Sequence, residues 1–235
     1  MKGRAQQMLI YAHRGASGEF PEGTEAAYLA AISQAADGFE CDVRLTKDNQ
    51  IICYHDSNAS RLSNKPIEIA KTTYQDLKLA INPYRLDQLL DLAISNNKDL
   101  VIESKHPVPS GGLIEKRVHK LLVENSRKIQ ESKIKVFLIS FSYLATLRNK
   151  RSGFSSGFLI QQKIFSHLNP TSIVAANIKL IRSEPTFVAD QIKKGRKVMA
   201  WTVNEPEDLK LCQDLGVYAV MTDYPARARG SLGYS

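Results

Sequence analysis

Nine short apolar runs punctuate this chain, and the distances between them leave few folds open. They lie at 8–12, 38–43, 51–54, 100–103, 136–140, 157–160, 178–181, 198–203 and 219–222. Most lack a clean polar–apolar alternation, as parallel strands buried on both faces do. Helical patterns fill most of the gaps, at 24–35, 86–96, 112–126, 185–194 and 206–215. Thr24 is placed to cap the first of these. Leu86, Leu89, Leu90 and Ala93 share one face of the second. Pro185 and Pro206 fall in first turns, where a missing N–H costs nothing. One connection breaks the pattern. Residues 46–50 (TKDNQ) are too few for a right-handed crossover, which needs on the order of a dozen residues. The run at 51–54 must therefore fold back as an antiparallel hairpin. Eight runs remain, which is the count of a (β/α)₈ TIM barrel, an α/β fold of roughly 250 residues. Residues 57–73 carry little apolar periodicity and form a small insertion after the second barrel strand's hairpin. The expectation is one domain over 1–235, with 227–235 a frayed Gly/Ser/Arg tail.

Composition narrows the function. Lys and Arg total 32 against 24 Asp and Glu, a net charge of +8. That excess favours solubility, attracts polyanions and steers anionic substrates. The basic residues are scattered, with no aromatic-interleaved stripe, so no specific nucleic acid is expected as a partner. Cys41, Cys53 and Cys212 are an odd set without a CxxC. They support neither a disulfide framework nor a zinc knuckle, and they fit a reducing compartment. Residues 1–10 lack a secretory apolar region, and no run approaches the ~20 residues of a membrane span. The chain is expected to be cytoplasmic, with a small-molecule partner.

In a barrel of this kind, function sits at the C-terminal ends of strands. Polar residues gather there: His13–Arg14–Gly15, Glu40 and Asp42, His55–Asp56, Glu103–Ser104–Lys105, Trp201 to Asn204, and Thr222–Asp223. Glu40 and Asp42 are two apart on a strand and point to one face. Two buried carboxylates side by side repel, and a divalent cation relieves that cost. Glu103 on the neighbouring strand offers a third oxygen ligand, a set suited to Mg²⁺ or Ca²⁺. The alternative is that these acids pair with Arg14, Arg44 and Lys105. A lone strand-end His is more often structural, but His13 and His55 facing one carboxylate cluster suit acid–base hydrolysis. With 47–50 as the hairpin loop, Asp42 lies opposite His55, and a one-residue slip would turn His55 away. Zinc ligation by the two histidines is the rival, but the acids outnumber them. Arg14 supplies a planar fork and Lys105 a point charge for phosphate. So much cationic lining favours a phosphate ester over the sugar of a glycosidase. Trp201 is either a core ring or a rim aromatic that packs on the apolar part of a substrate. His106, His119 and His167 receive no role. Cys41, between the two acids, points the other way as a buried strand residue.

Residues 12–27 (AHRGASGEFPEGTEAA) resemble the opening signature of the glycerophosphodiester phosphodiesterase family. Residues 36–48 (ADGFECDVRLTKD) are similar to its metal-binding strand, and 54–56 (YHD) to its second histidine motif. Residues 102–105 (IESK), Ser140–Phe141, 201–206 (WTVNEP) and 222–225 (TDYP) follow in the family's order. The resemblance spans about residues 10–225. It implies His13 and His55 as the acid–base pair, Glu40, Asp42 and Glu103 as ligands of one divalent cation, and Arg14 and Lys105 as phosphate holders. It implies an enzyme of lipid and glycerol metabolism that cleaves a glycerophosphodiester to glycerol 3-phosphate and an alcohol. The implied route has the glycerol 2-hydroxyl attack phosphorus, giving a cyclic phosphate that water opens. One departure is Gly23, where the family usually has Asn. Two other readings use the same site: a lysophospholipase D, and a catalytically silent phosphodiester-binding protein with Gly23 as its hint. An apolar rim on the insertion would favour the lipid-bearing substrate, and Ile67, Ile69 and Tyr74 are too few to decide.

Overall fold

A computed structural model describes residues 7–234. Nine strands form one sheet: β1 (Leu9–His13), β2 (Gly38–Leu45), β3 (Ile51–Cys53), β4 (Asp99–Ser104), β5 (Val136–Ser140), β6 (Ser155–Ile160), β7 (Ile173–Asn177), β8 (Lys197–Trp201) and β9 (Ala219–Thr222). The order is β1-β9-β8-β7-β6-β5-β4-β2-β3, and β1 also pairs with β2. That extra pairing closes eight parallel strands into a barrel flanked by helices, the (β/α)₈ fold. Strand β3 stays outside the ring, antiparallel to β2, as the short TKDNQ connection requires.

Alternate side chains along the strands fill two layers. Tyr11, Val101, Phe137, Leu159, Met199 and Met221 pack inside the barrel. Cys41, Val43, Ile102 and Leu138 point outward against helices such as Leu86–Ser95, whose Leu86, Leu89, Leu90 and Ala93 are all buried. Among the described residues, no helix is long and apolar enough to cross a membrane.

Three sequence expectations are corrected. The seventh barrel strand is Ile173–Asn177, and the run at 178–181 belongs to the helix Ile178–Ser183. Two alanines, Ala175 and Ala176, dilute the apolar signal of the true strand. Asn177 then ends it by accepting a hydrogen bond from the Lys179 N–H, an N-cap that starts the helix. The hairpin register is also one residue off. Val43 opposes Cys53, and the Tyr54 N–H donates to Asp42 O, so Asp42 faces Tyr54. The turn holds three residues because Thr46 pairs with Gln50, Thr46 N–H donating to Gln50 O. Asn49 takes the left-handed position with φ of 61°, as three-residue hairpin loops need. Finally, the helix Pro225–Ser231 runs into the segment 227–235 read as a frayed tail, with Ala228 buried. Its start is anchored where the Ala226 N–H donates to the Gln34 side chain.

Residues 57–73 form a short helix (Ser60–Ser63) and a 3₁₀ turn (Ile69–Lys71), followed by the helix Tyr74–Ile81. They have a small core of their own, in which Ala59, Ile69 and Leu77 pack on Ile52 and Tyr54 of the hairpin. This core holds the insertion over the rim that carries His55.

Candidate active site

Parallel pairing brings the three acids together. His13 lies beside Glu40 in the β1–β2 register, and Asp42 beside Glu103 in β2–β4. One carboxylate oxygen from each of Glu40, Asp42 and Glu103 lies within 4.8 Å of the others, and all three side chains are buried. Lys105 Nζ stands 3.2 Å from Asp42 and 2.8 Å from Glu103. Arg14 Nε stands 2.7 Å from Asp42. These are contacts of charge without direction: both Asp42 oxygens and Arg14 Nε are buried and make no hydrogen bond. Arg44, the third cation considered as a partner of the acids, donates instead from Nε to His55 O.

The electrostatics follow from burial. Burial alone would raise the Asp42 pKa, but Arg14, then Lys105 and the two histidines, outweigh it and hold the carboxyl at about 2. For Glu40 and Glu103 the same cations pull the pKa down but are outweighed. Burial, and then the charge of Asp42, push Glu40 well above the carboxylate range and Glu103 up to about 8. Three buried carboxyls that cannot all ionise, with Asp42 oxygens left unbonded, are the donor set a hard divalent cation fits.

Each histidine has a carboxylate behind it. His13 Nδ1 is 2.7 Å from Asp223 Oδ1, and His55 Nδ1 is 2.7 Å from Asp56 Oδ1. An ionised carboxylate only accepts, so Nδ1 donates in both pairs and Nε2 is left for other chemistry. His13 Nε2 lies 3.9 Å from Glu40 Oε2. Asp223 is itself held by Ser17 and Asn204. Burial would raise its pKa, but the His13 hydrogen bond, with those from Asn204 and Ser17, brings it down to about 2. Burial lowers the His55 pKa below its ordinary value. His55 reaches the site despite the shifted register because β3 stops at Cys53, so strand alternation no longer governs it.

The histidines, Glu40, Glu103, Lys105 and Trp201 line one cleft of about 100 Å³. Trp201 is half-buried: its Nε1 donates to Ala175 O, and its ring meets Phe141 edge-on at 5.3 Å. It thus joins core and cleft wall. Arg14 holds its tip of β1 in the left-handed region, φ 57°, a cost typical of functional turns. Its N–H donates to Glu40, and its Nη1 donates to Glu22 at 3.0 Å. Glu22 also accepts both terminal nitrogens of Arg61, whose Nε donates to Asp56 at 2.5 Å. Gly23, at φ 69°, tucks against Cys53 O, 3.1 Å from where a Cβ would stand. His106 and His119, given no role, bond Glu115 and Asn149.

The sequence reading assigned nothing to Asp56, Asp223, Glu22, Arg61, Ser17 or Asn204. Asp56 and Asp223 stood at strand ends in the sequence. Only barrel closure by β1 and β9 brings Asp223 to His13.

The sequence profile of the glycerophosphoryl diester phosphodiesterase family matches residues 13–227. The chain belongs to this family. It is 29% identical to the Mycobacterium tuberculosis protein named "Probable glycerophosphodiester phosphodiesterase 1", over 95% of this chain and 92% of that one. It is 27% identical to a human lysophospholipase D, over 94% of this chain and 84% of that protein. Its fold matches an Oleispira antarctica phosphodiesterase solved with its product sn-glycerol-3-phosphate. The TM-score is 0.77 and the identity 22%, with 96% of each chain covered. The family's barrel therefore extends over nearly the whole chain.

Proposed function

We propose that this chain is a single barrel domain that hydrolyses glycerophosphodiesters to glycerol 3-phosphate and an alcohol. His13 and His55 act as the acid–base pair, and Glu40, Asp42 and Glu103 hold one divalent cation, Mg²⁺ or Ca²⁺. One observation carries this reading: two histidines, each fixed by a carboxylate, flank three buried acids beside Arg14 and Lys105. When bound, the cation supplies positive charge beside the phosphoryl oxygens. Lys105 and Arg14 then hold the phosphate with a point charge and a fork. Asp223 and Asp56 keep Nε2 of each ring turned to the cleft. One Nε2 takes the proton of the attacking 2-hydroxyl, and the other returns a proton to the leaving alcohol. Water opens the resulting cyclic phosphate with the roles reversed.

A second reading, a lysophospholipase D, is favoured by the catalytic rim beyond β5 and β6. Leu144 and Ile164 there are 61% and 69% exposed, with Phe141, Tyr143 and Phe165 beside them in the sequence. A lipid-bearing substrate would find apolar surface on that side of the mouth.

Both readings share one assay. Glycerol 3-phosphate release from glycerophosphodiesters, and alcohol release from lysophospholipids, is measured with Mg²⁺, with Ca²⁺ and with EDTA. Cation-dependent glycerol 3-phosphate release is expected, nearly abolished by EDTA and by Glu40→Gln. Full activity in EDTA would remove the cation from the account. Release from neither substrate class would overturn both readings.

A further inference from the structure

Beside the catalytic cleft lies a larger cavity, about 370 Å³, within the size range of small-molecule sites. The insertion bounds one side through Ser57, Asn58 and Glu68, and residues 107–110 after β4 bound another. These are the continuations of the two loops that carry His55 and Lys105. Arg44 reaches the cavity from β2. It follows Glu40 and Asp42 at intervals of two, so it shares their face of the strand.

The bonding of Arg44 is unusual. Its Nε donates to His55 O at 2.9 Å, which fixes the guanidinium against the histidine loop. Its two terminal nitrogens have no hydrogen-bond or ion-pair partner among the described residues. A guanidinium anchored through Nε presents its terminal N–H groups as a pair, the geometry that accepts a carboxylate or phosphate end-on. The one acid that lines the cavity, Glu68, is exposed and paired with Lys71 at 2.8 Å. Lys47 adds a second cation to the wall, and Thr46, Ser57, Asn58 and Ser110 add hydroxyl and amide groups.

We propose that this cavity is the head-group subsite, and that Arg44 selects leaving alcohols bearing an anionic group, a carboxylate or a second phosphate. The proposal rests on the reading of the chain as a glycerophosphodiester hydrolase and names its substrate class. A phosphodiester held by Lys105 with its leaving oxygen toward His55 directs the alcohol between the insertion and the β4 loop, onto Arg44. In that pose His55 stands on the leaving-group side and His13 on the glycerol side, next to the Phe141–Trp201 wall. The cavity wall is mixed, with Leu45, Ile69 and Val108 among the hydroxyls and amide, so Arg44 and Lys47 are what favour an anionic head group over a neutral one.

The test compares glycerophosphoserine with glycerophosphoethanolamine, which differ by one carboxylate. Wild type should favour the serine diester in kcat/KM by about tenfold, the scale of one charge-assisted hydrogen-bonded contact. Arg44→Gln should erase most of that ratio, and Arg44→Lys, which keeps the charge, should retain part of it. A glycerophosphoserine phosphorylated on the glycerol side should gain nothing from Arg44. Binding of both diesters to the wild type and to Arg44→Gln is measured in parallel by calorimetry. An Arg44-dependent preference in binding without turnover would keep the subsite and overturn the hydrolase reading. Turnover of both diesters with no preference, or an equal fall for both in Arg44→Gln, would overturn the subsite and keep the hydrolase.

Discussion

At the residue scale, the candidate site is defined by what stands behind each histidine. His13 and His55 were visible in the sequence as strand-end imidazoles, but Asp223 and Asp56 decide which nitrogen each turns to the cleft. Adjacency to His55 hinted at Asp56. Asp223 is more than two hundred positions from His13, at 2.7 Å in space, and local pattern carries no signal for that. The same bond has a consequence in acid. The Asp223 carboxyl is lowered from 3.8 to about 2, so it stabilises the fold fully above about pH 4, and this contribution fades as pH falls toward about 2. Acid unfolding followed by circular dichroism should therefore steepen in that window. Asp223→Asn, which cannot titrate, should lose less stability across it than the wild type. Parallel profiles would mean that Asp223 titrates alike in the folded and unfolded chain.

At the scale of elements, short connections were more legible than long ones. The hairpin topology followed from the length of TKDNQ alone. Its register did not, because the Thr46–Gln50 pairing and the left-handed Asn49 shorten the loop by one residue, and neither is visible as hydrophobic pattern. The first turn of the helix after β7 was read as the strand because an Asn cap, not a change in apolar period, marks the boundary. The insertion was legible as an interruption, but its function as a clamp was not. Arg61 ties its first helix to Asp56 behind His55 and, through Glu22, to Arg14. Loss of such a supporting contact costs about 10–100-fold in comparable sites. Arg61→Ala should lower kcat by about tenfold, and Arg61→Lys should recover only part, because a point charge cannot hold Glu22 in bidentate fashion. Steady-state kinetics of the three proteins check this. Wild-type kcat in Arg61→Ala would leave the insertion without influence on His55.

At the scale of the whole molecule, the barrel explains why residues scattered from position 13 to position 223 come together. Eight parallel strands place their C-terminal ends on one rim, and closure by β1 with β2 and β9 joins the first and last of these ends. Cations scattered in the sequence gather there, with Arg14, Lys105 and Arg44 around a buried acidic cluster. The central claim is that His13 and His55 move the protons of phosphodiester cleavage. The measurement that tests it is kcat for glycerol 3-phosphate release at saturating Mg²⁺ or Ca²⁺, in the wild type, His13→Ala, His55→Ala, the double variant and Cys41→Ser. Each single histidine variant should fall by ~10²–10⁴-fold, the usual worth of a positioned acid or base. The double variant should be only slightly slower than either, since the pair acts as a unit, and Cys41→Ser, on the outward face of β2, should change little. Wild-type turnover in both histidine variants would contradict the account.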